Sequence, residues 1–198
     1  MTPLCETRLC ELARKYRTDK GGGHLTYGAH TTEICHNYTP FYYSLFKGQE
    51  DTVKRVLEIG VNAGCSQRMW EEFYPNAEII GLDIDRNYLF NEGRVHCFYA
   101  DQNNPESLRD ALAEAGPGLF DLIVDDGSHN RDHQTASLPV LLPHLADHGY
   151  YVVEDLECEP EYIGRVVPPG FRWKAVPTTG GLGRAKDRTE MLVVVIHG

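Results

Sequence analysis

From residue 53 the chain alternates short apolar runs with helix-like stretches, a pattern that few folds accommodate. The runs are VKRVLEIG (53–60), AEIIGLD (77–83), VHCFYA (95–100), FDLIVDD (120–126) and GYYVVED (149–155), with helical stretches at 65–74, 86–93, about 104–115 and about 131–145. Short strands apolar on both faces, each followed by a helix, predict a parallel sheet with helices on both faces. The ending differs. FRWKAVP (171–177), the loop TTGGLGRAKDR (178–188) and MLVVVIHG (191–198) read as two strands joined without a helix, a hairpin that closes a doubly wound sheet. Upstream, Leu4, Leu9, Leu12 and Tyr16 have helical spacing, 17–31 is a polar glycine-rich loop, and the aromatic-rich 34–46 reads as a core-packing helix interrupted at Pro40.

No repeat, low-complexity tract or linker divides the 198 residues. They read as one α/β domain, 1–198, with an N-terminal helical or lid segment (1–50) and a core (51–198). The net charge of −10 argues against broad binding to nucleic acid or an anionic membrane surface. No apolar run approaches the roughly 18–20 residues of a membrane span, and the first 20 residues lack the apolar stretch of a secretory signal, so a cytoplasmic location is expected. The six cysteines (Cys5, Cys10, Cys35, Cys65, Cys97, Cys158) form no CxxC pair and read as reduced, mostly buried thiols.

Open α/β sheets bind ligands outside the carboxyl ends of their strands, where the strand order reverses. The first strand–helix turn, LEIGVNAGCS, holds Glu58, Gly60 and Gly64. It lacks the central glycine of G-x-G-x-x-G and the G-K-[ST] of a triphosphate loop, so a cofactor without phosphates fits better. Asp83 ends the next strand, IIGLDID, at about the position from which a carboxylate accepts both hydroxyls of a ribose.

Two acidic pairs end successive strands, Asp125 and Asp126 in DLIVDDGSH, then Glu154 and Asp155 in YYVVEDLE. Neighbouring strands lie about 4.8 Å apart, so carboxylates from both can reach one hard cation such as Mg²⁺. The alternative makes Asp126 or Ser128 an N-cap for a helix beginning near Asn130, and leaves Glu154 and Asp155 as solvated loop charges. His129 follows Asp126 in the same turn, and imidazole, with an ordinary pKa of about 6.5, suits a general base. A metal on an acceptor hydroxyl would let His129 take the proton, with Asp126 as the other catalytic residue.

On Glu58, Gly60, Gly64 and Asp83 the chain resembles the S-adenosylmethionine-dependent methyltransferases with a Rossmann-like fold. That resemblance implies a mostly parallel seven-stranded sheet with a C-terminal antiparallel hairpin. It also implies that Gly60 and Gly64 let the backbone approach the cofactor, that Asp83 binds the ribose, and that Asp101 and Gln102 lie by the adenine. Asp125 is assigned to the cofactor side with Glu58. LARKYRTDKGGGHLTYGAHT, LEIGVNAGCSQRMWEEFYPNAEIIGLDID, DDGSH and VVEDL further resemble the metal-dependent sugar O-methyltransferases of macrolide and related natural-product pathways. This implies S-adenosylmethionine and Mg²⁺ as cofactors, Asp126, Glu154 and Asp155 as metal residues, His129 as the base, and Asp19, Lys20, His24 and Tyr27 at the substrate or lid. The implied acceptor is a small molecule, a glycoside, with neither nucleic acid nor membrane as partner. Some members carry a further N-terminal domain that assembles oligomers, which these residues do not include, so the oligomeric state stays open, a homo-oligomer included.

Two other readings remain. One is methyl transfer to a catechol or other phenol, whose adjacent oxygens chelate the same metal. The other is a non-catalytic cofactor-binding module. The sequence does not rank Glu154 against Asp155 as the closer metal ligand, because neighbouring strand residues point to opposite faces.

Overall fold

The computed structural model describes residues 7–22, 25–27, 30–32, 36–156, 160–178 and 190–198. In chain order the elements are α1 (Arg8–Tyr16), the short hairpin β1 (Leu25–Tyr27) and β2 (His30–Thr32), α2 (Thr39–Leu45), β3 (Arg55–Ile59), α3 (Cys65–Phe73), β4 (Glu78–Asp83) and β5 (Asn91–Glu92). There follow β6 (Val95–Tyr99), α4 (Pro105–Glu114), β7 (Phe120–Asp125), α5 (Arg131–Leu141), β8 (Leu145–Leu156), α6 (Glu161–Gly164), β9 (Phe171–Thr178) and β10 (Glu190–His197).

The main sheet has the order β5-β6-β4-β3-β7-β8-β10-β9. Strands β6, β4, β3, β7 and β8 run parallel, β10 is antiparallel to both β8 and β9, and β5 is antiparallel to β6. Without the two-residue β5 this is the expected seven-stranded sheet with its closing hairpin. The stretch 86–93 is not the expected helix. Asp85 accepts from Asn87 N at 2.9 Å and starts a single 3-10 turn, Arg86–Tyr88, after which Asn91–Glu92 pairs with β6.

Alternation along the strands builds two cores. Val56, Ile79, Leu122, Val124 and Val152 face α1, α2 and α3, against Leu9, Tyr42, Trp70 and Phe73. Leu57, Ile80, Ile123, Val153 and Val193 face the other way, against Leu108 of α4 and Leu138 and Leu141 of α5. Pro40 lies in the first turn of α2, where a missing N–H costs no hydrogen bond, so it starts that helix and does not interrupt it. The N-cap of α5 is Asn130, whose side chain accepts from Asp132 N at 2.8 Å; neither Asp126 nor Ser128 caps it. Cys10 and Cys97 are buried and Cys65 half-buried, all three as reduced thiols, while Cys5, Cys35 and Cys158 lie outside the described residues. Among the described residues no helix is long and apolar enough to cross a membrane.

Candidate active site

Chain order places β4 and β6 on one side of β3, then returns to put β7 on the other. The carboxyl ends of β3 and β7 therefore flank the point where strand order reverses, the usual ligand crevice of such sheets. Ile59, ending β3, sits opposite Leu82 of β4 and Asp125 of β7. Gly60 N donates to Leu82 O at 2.8 Å and Asp126 N donates to Ile59 O at 3.1 Å, so both crossing loops are held to the strand ends. Gly60 has φ +98°, and a Cβ there would lie 2.1 Å from the backbone oxygen of Asp126. Only glycine lets the two loops pass so closely.

Asp83 fastens the same loop from the β4 side. Its Oδ2 accepts from Val61 N at 2.8 Å and Asn62 N at 3.1 Å, and its Oδ1 accepts from Asp85 N at 2.8 Å. A carboxylate has about four lone-pair sites, so acceptor capacity is left for a ligand hydroxyl. Asp83 lines two adjoining cavities. The larger, about 430 Å³, is walled by Gly60, Val61, Asn62, Asp83, Asp126, His129 and Asp155, with Arg17, Thr18 and Asp19 over it from the segment after α1. The smaller, about 200 Å³, shares Gly60, Asp83 and Gly127 with it and continues past Ile84, Ala100, Asp101, Gln102, Ser128 and His133.

Among the residues walling the larger cavity, ligand atoms of Asp126, His129 and Asp155 all lie within 4.8 Å of one another. His129 Nε2 is 3.8 Å from Asp155 Oδ2. Both residues are left-handed, with φ of +57° and +53°, a backbone state that costs of order 1–3 kcal/mol outside glycine and clusters at functional sites. Asp155 is held from behind: Tyr38 OH donates to its Oδ1 at 2.8 Å, and His36 Nδ1 lies 3.1 Å from the same atom.

Beneath this group lies a buried ion cluster that sequence reasoning missed. The Lys20 side chain is 1% exposed, and its Nζ stands 2.5 Å from Asp126 Oδ2, 2.5 Å from Glu154 Oε2 and 3.1 Å from Glu58 Oε1. Burial works against the ammonium, but the carboxylates of Asp126, Glu154 and Glu58 overcome it and hold Lys20 well above the ordinary lysine range. Burial pushes the Glu58, Asp126 and Glu154 carboxyls upward, and Lys20 opposes that in each case.

Several expected site residues lie away from the crevice. Glu58 is fully buried and accepts from Ser66 Oγ (2.8 Å), Gln67 Nε2 (2.8 Å) and Trp70 Nε1 (3.1 Å), because its place on β3 turns it toward α3. Asp125 is likewise buried, accepting from Gln102 Nε2 at 2.6 Å and Ser137 Oγ at 2.9 Å under α5. Neither lines either of the two cavities. Glu154 turns under the sheet to Lys20 and Tyr42, while the next residue, Asp155, turns into the cavity. Gly64 caps α3 in the same turn as Gly60. Lys20 belongs to the floor and not to a lid, whereas Asp19 lines the cavity. His24 lies outside the described residues, and of Tyr27 only the backbone pairing with His30 is described. The phenols of Tyr38 and Tyr42, one helical turn apart in a segment read as core, had left a signal in their spacing.

A family model described as "Methyltransferase domain" matches residues 57–156. Among curated proteins, demethylmacrocin O-methyltransferase of Streptomyces fradiae is 37% identical over 155 residues, covering 75% of this chain and 36% of the relative. Mycinamicin VI 2''-O-methyltransferase of Micromonospora griseorubida matches with the same identity and coverage. Among solved structures, MycE methyltransferase from the mycinamycin biosynthetic pathway, in complex with Mg, SAH and mycinamycin VI, aligns with TM-score 0.62 and 34% identity over 80% of this chain and 40% of that one. The chain thus spans well under half the length of these relatives.

Proposed function

This chain belongs to the methyltransferase-domain family, and from that membership we propose that it is an S-adenosylmethionine-dependent, Mg²⁺-dependent O-methyltransferase acting on a sugar hydroxyl of a glycosylated small molecule. One juxtaposition carries the proposal: Asp83 and the group Asp126, His129 and Asp155 line a single cavity of about 430 Å³. The names of the relatives support the acceptor class, since they include an 8-demethyl-8-alpha-L-rhamnosyl tetracenomycin-C 2'-O-methyltransferase and an L-olivosyl-oleandolide 3-O-methyltransferase. The solved neighbour with Mg and SAH supports the cofactors.

The residues fit both groups. Two carboxylates and one imidazole converging within 4.8 Å include the oxygen donors that a hard divalent cation takes. The cavities join at Asp83, which retains acceptor capacity for a ribose, and extend to Asp101 at the end suited to the base. When bound, S-adenosylmethionine supplies an electrophilic sulfonium methyl and Mg²⁺ supplies Lewis-acid polarisation of the acceptor hydroxyl.

The chain's own residues do the rest. Asp126 and Asp155 hold the cation, and Tyr38 and His36 fix the orientation of Asp155. His129, with its side chain 39% exposed, reaches the cavity and receives the acceptor's hydroxyl proton at its ring nitrogen. Backbone at Gly60 and the Asp83 carboxylate would hold the cofactor in the cavity that His129 also lines. Arg17, Thr18 and Asp19, from the segment after α1, complete the wall of the cavity.

The test is turnover with a panel of glycosides and catechols, read as S-adenosylhomocysteine formed. Glycoside methylation is expected, stopped by chelation and by Asp126→Ala, with S-adenosylhomocysteine affinity unchanged in that variant. Turnover of catechols alone would overturn the sugar assignment, and cofactor binding without any turnover would leave a non-catalytic module.

A further inference from the structure

The wall of the larger cavity is unbalanced in charge. It carries the carboxylates of Asp19, Asp83, Asp126 and Asp155, and Arg17 is the one Lys or Arg among the described residues lining either cavity. The neighbouring cations are committed elsewhere. Lys20 pairs with Asp126, Glu154 and Glu58, while Arg68 holds Glu92 and donates from Nη1 to the carbonyls of Ala63 and Gly64. Position agrees with charge. Cys65 and Ser66 line the larger cavity and open α3, whose positive end favours an anion on the same wall. Burial pushes the Cys65 thiol up, and of the charges around it Arg68 and Arg17 oppose that push while Asp19 adds to it, so Arg17 lies within electrostatic reach of the first residue of α3. The Arg17 backbone is left-handed, with φ 61° and ψ 38°, a state that glycine takes without strain and arginine does not. Two hydrogen bonds hold it there, Arg17 N to Arg14 O at 3.3 Å and Thr18 N to Ala13 O at 3.1 Å.

We propose that Arg17 anchors the carboxylate of the cofactor's amino-acid arm, a specificity-determining residue that selects an S-adenosyl amino acid over the same nucleoside without that carboxylate. This rests on the reading that the crevice holds S-adenosylmethionine. The cofactor carries a sulfonium, an α-ammonium and an α-carboxylate, and the four aspartates suit only the first two. The two cavities meet at Asp83. With the ribose there and the base toward Asp101, the arm runs into the larger cavity, where Arg17 and the start of α3 line one wall. A guanidinium fork meets a carboxylate through two parallel N–H donors, which fixes orientation as well as charge. A neutral side chain at this position would leave the incoming carboxylate among like charges with no cation on the wall.

The test is calorimetric titration of the full chain with two ligands, S-adenosylhomocysteine and 5′-(3-aminopropylthio)-5′-deoxyadenosine, which keeps the ammonium and lacks the carboxylate. Arg17→Gln is expected to weaken S-adenosylhomocysteine binding by about 5–20-fold, the loss of a charged hydrogen-bonded pair reduced by the exposure of Arg17. The aminopropyl analogue should bind wild type and variant within about twofold of each other, a selectivity that general damage to the fold would not produce. Arg17→Gly suits the left-handed backbone, so it should show the same selective loss with a melting temperature no lower than that of wild type. Unchanged S-adenosylhomocysteine affinity in both variants overturns the proposal. Equal weakening of the two ligands also overturns it, by making the effect one of loop shape and not of the carboxylate. Absence of S-adenosylhomocysteine binding in wild type removes instead the cofactor reading on which it rests.

Discussion

Substitution of Gly60 probes the meeting of fold and site, because two costs there can be separated. The first is backbone strain: an alanine at φ +98° gives up a conformation that glycine reaches freely. The second is steric, since its Cβ would lie 2.1 Å from Asp126 O, a backbone atom fixed by the strand-end hydrogen bonds. Gly48 shares the first cost and not the second, with φ +77° and nothing within 4 Å of a built Cβ. Gly48→Ala should then cost about 1 kcal/mol from strain alone. Gly60→Ala should cost about 2–3 kcal/mol more, the typical penalty for overpacking a site that cannot yield. In a chain of this length the extra cost appears as a melting temperature lower by roughly 4–12 °C. Thermal and urea unfolding of both variants measure it, and S-adenosylhomocysteine titration should show Gly60→Ala alone weakened, because the displaced loop carries the amides of Val61 and Asn62. Equal stabilities for the two variants, within about 0.5 kcal/mol, would refute the close packing of the β3 and β7 loops.

Asp83→Ala should weaken S-adenosylhomocysteine binding by about 10–100-fold in calorimetric titration, the usual value of hydrogen bonds to a charged acceptor. Asp155→Asn should lower Mn²⁺ affinity by at least about tenfold while leaving S-adenosylhomocysteine affinity within about threefold, because the proposed ribose contact is made by Asp83 and not by Asp155. Glu72 fastens α3 to α1 through Lys15 and Tyr16, whose hydrogen bonds lower its carboxyl pKa. A lowered folded pKa stabilises above the unfolded value and is lost as pH falls through the folded one. Glu72→Gln should therefore cost about 0.2–1 kcal/mol at neutral pH, a small value because both side chains are partly solvated, and the difference should vanish on acidification below the carboxylate range.

The sheet was legible because its strands are buried on both faces, so VLEI, EIIGLD and DLIVDD each announce themselves without reference to the rest of the chain. The crevice followed from the turn after β3 and the acids ending β4, β7 and β8. The division of labour among those acids was hidden. Glu154 and Asp155 are neighbours in sequence, and their opposite facing depends on the strand's end and on Lys20, 134 residues away from Glu154. Local pattern carries no information on such a pairing. Glu58 read as a site residue from its place at the first strand–helix turn and Asp125 from its place beside Asp126, but the partners that accompany their burial, Ser66, Gln67 and Trp70 for one and Gln102 and Ser137 for the other, come from helix faces and a loop. The stretch 86–93 is a single 3-10 turn capped by Asp85 in place of the expected helix, and Asn91–Glu92 pair with β6, a tertiary contact that local spacing does not announce.

The central claim is that one crevice holds nucleoside and divalent ion side by side. Crystals grown with S-adenosylhomocysteine and Mn²⁺ test it directly through the anomalous signal of the metal. The account predicts one manganese peak on Asp126 and Asp155, in the same cavity as a nucleoside whose ribose meets Asp83. A peak elsewhere on the acidic surface, or a nucleoside seated away from Asp83, would contradict it.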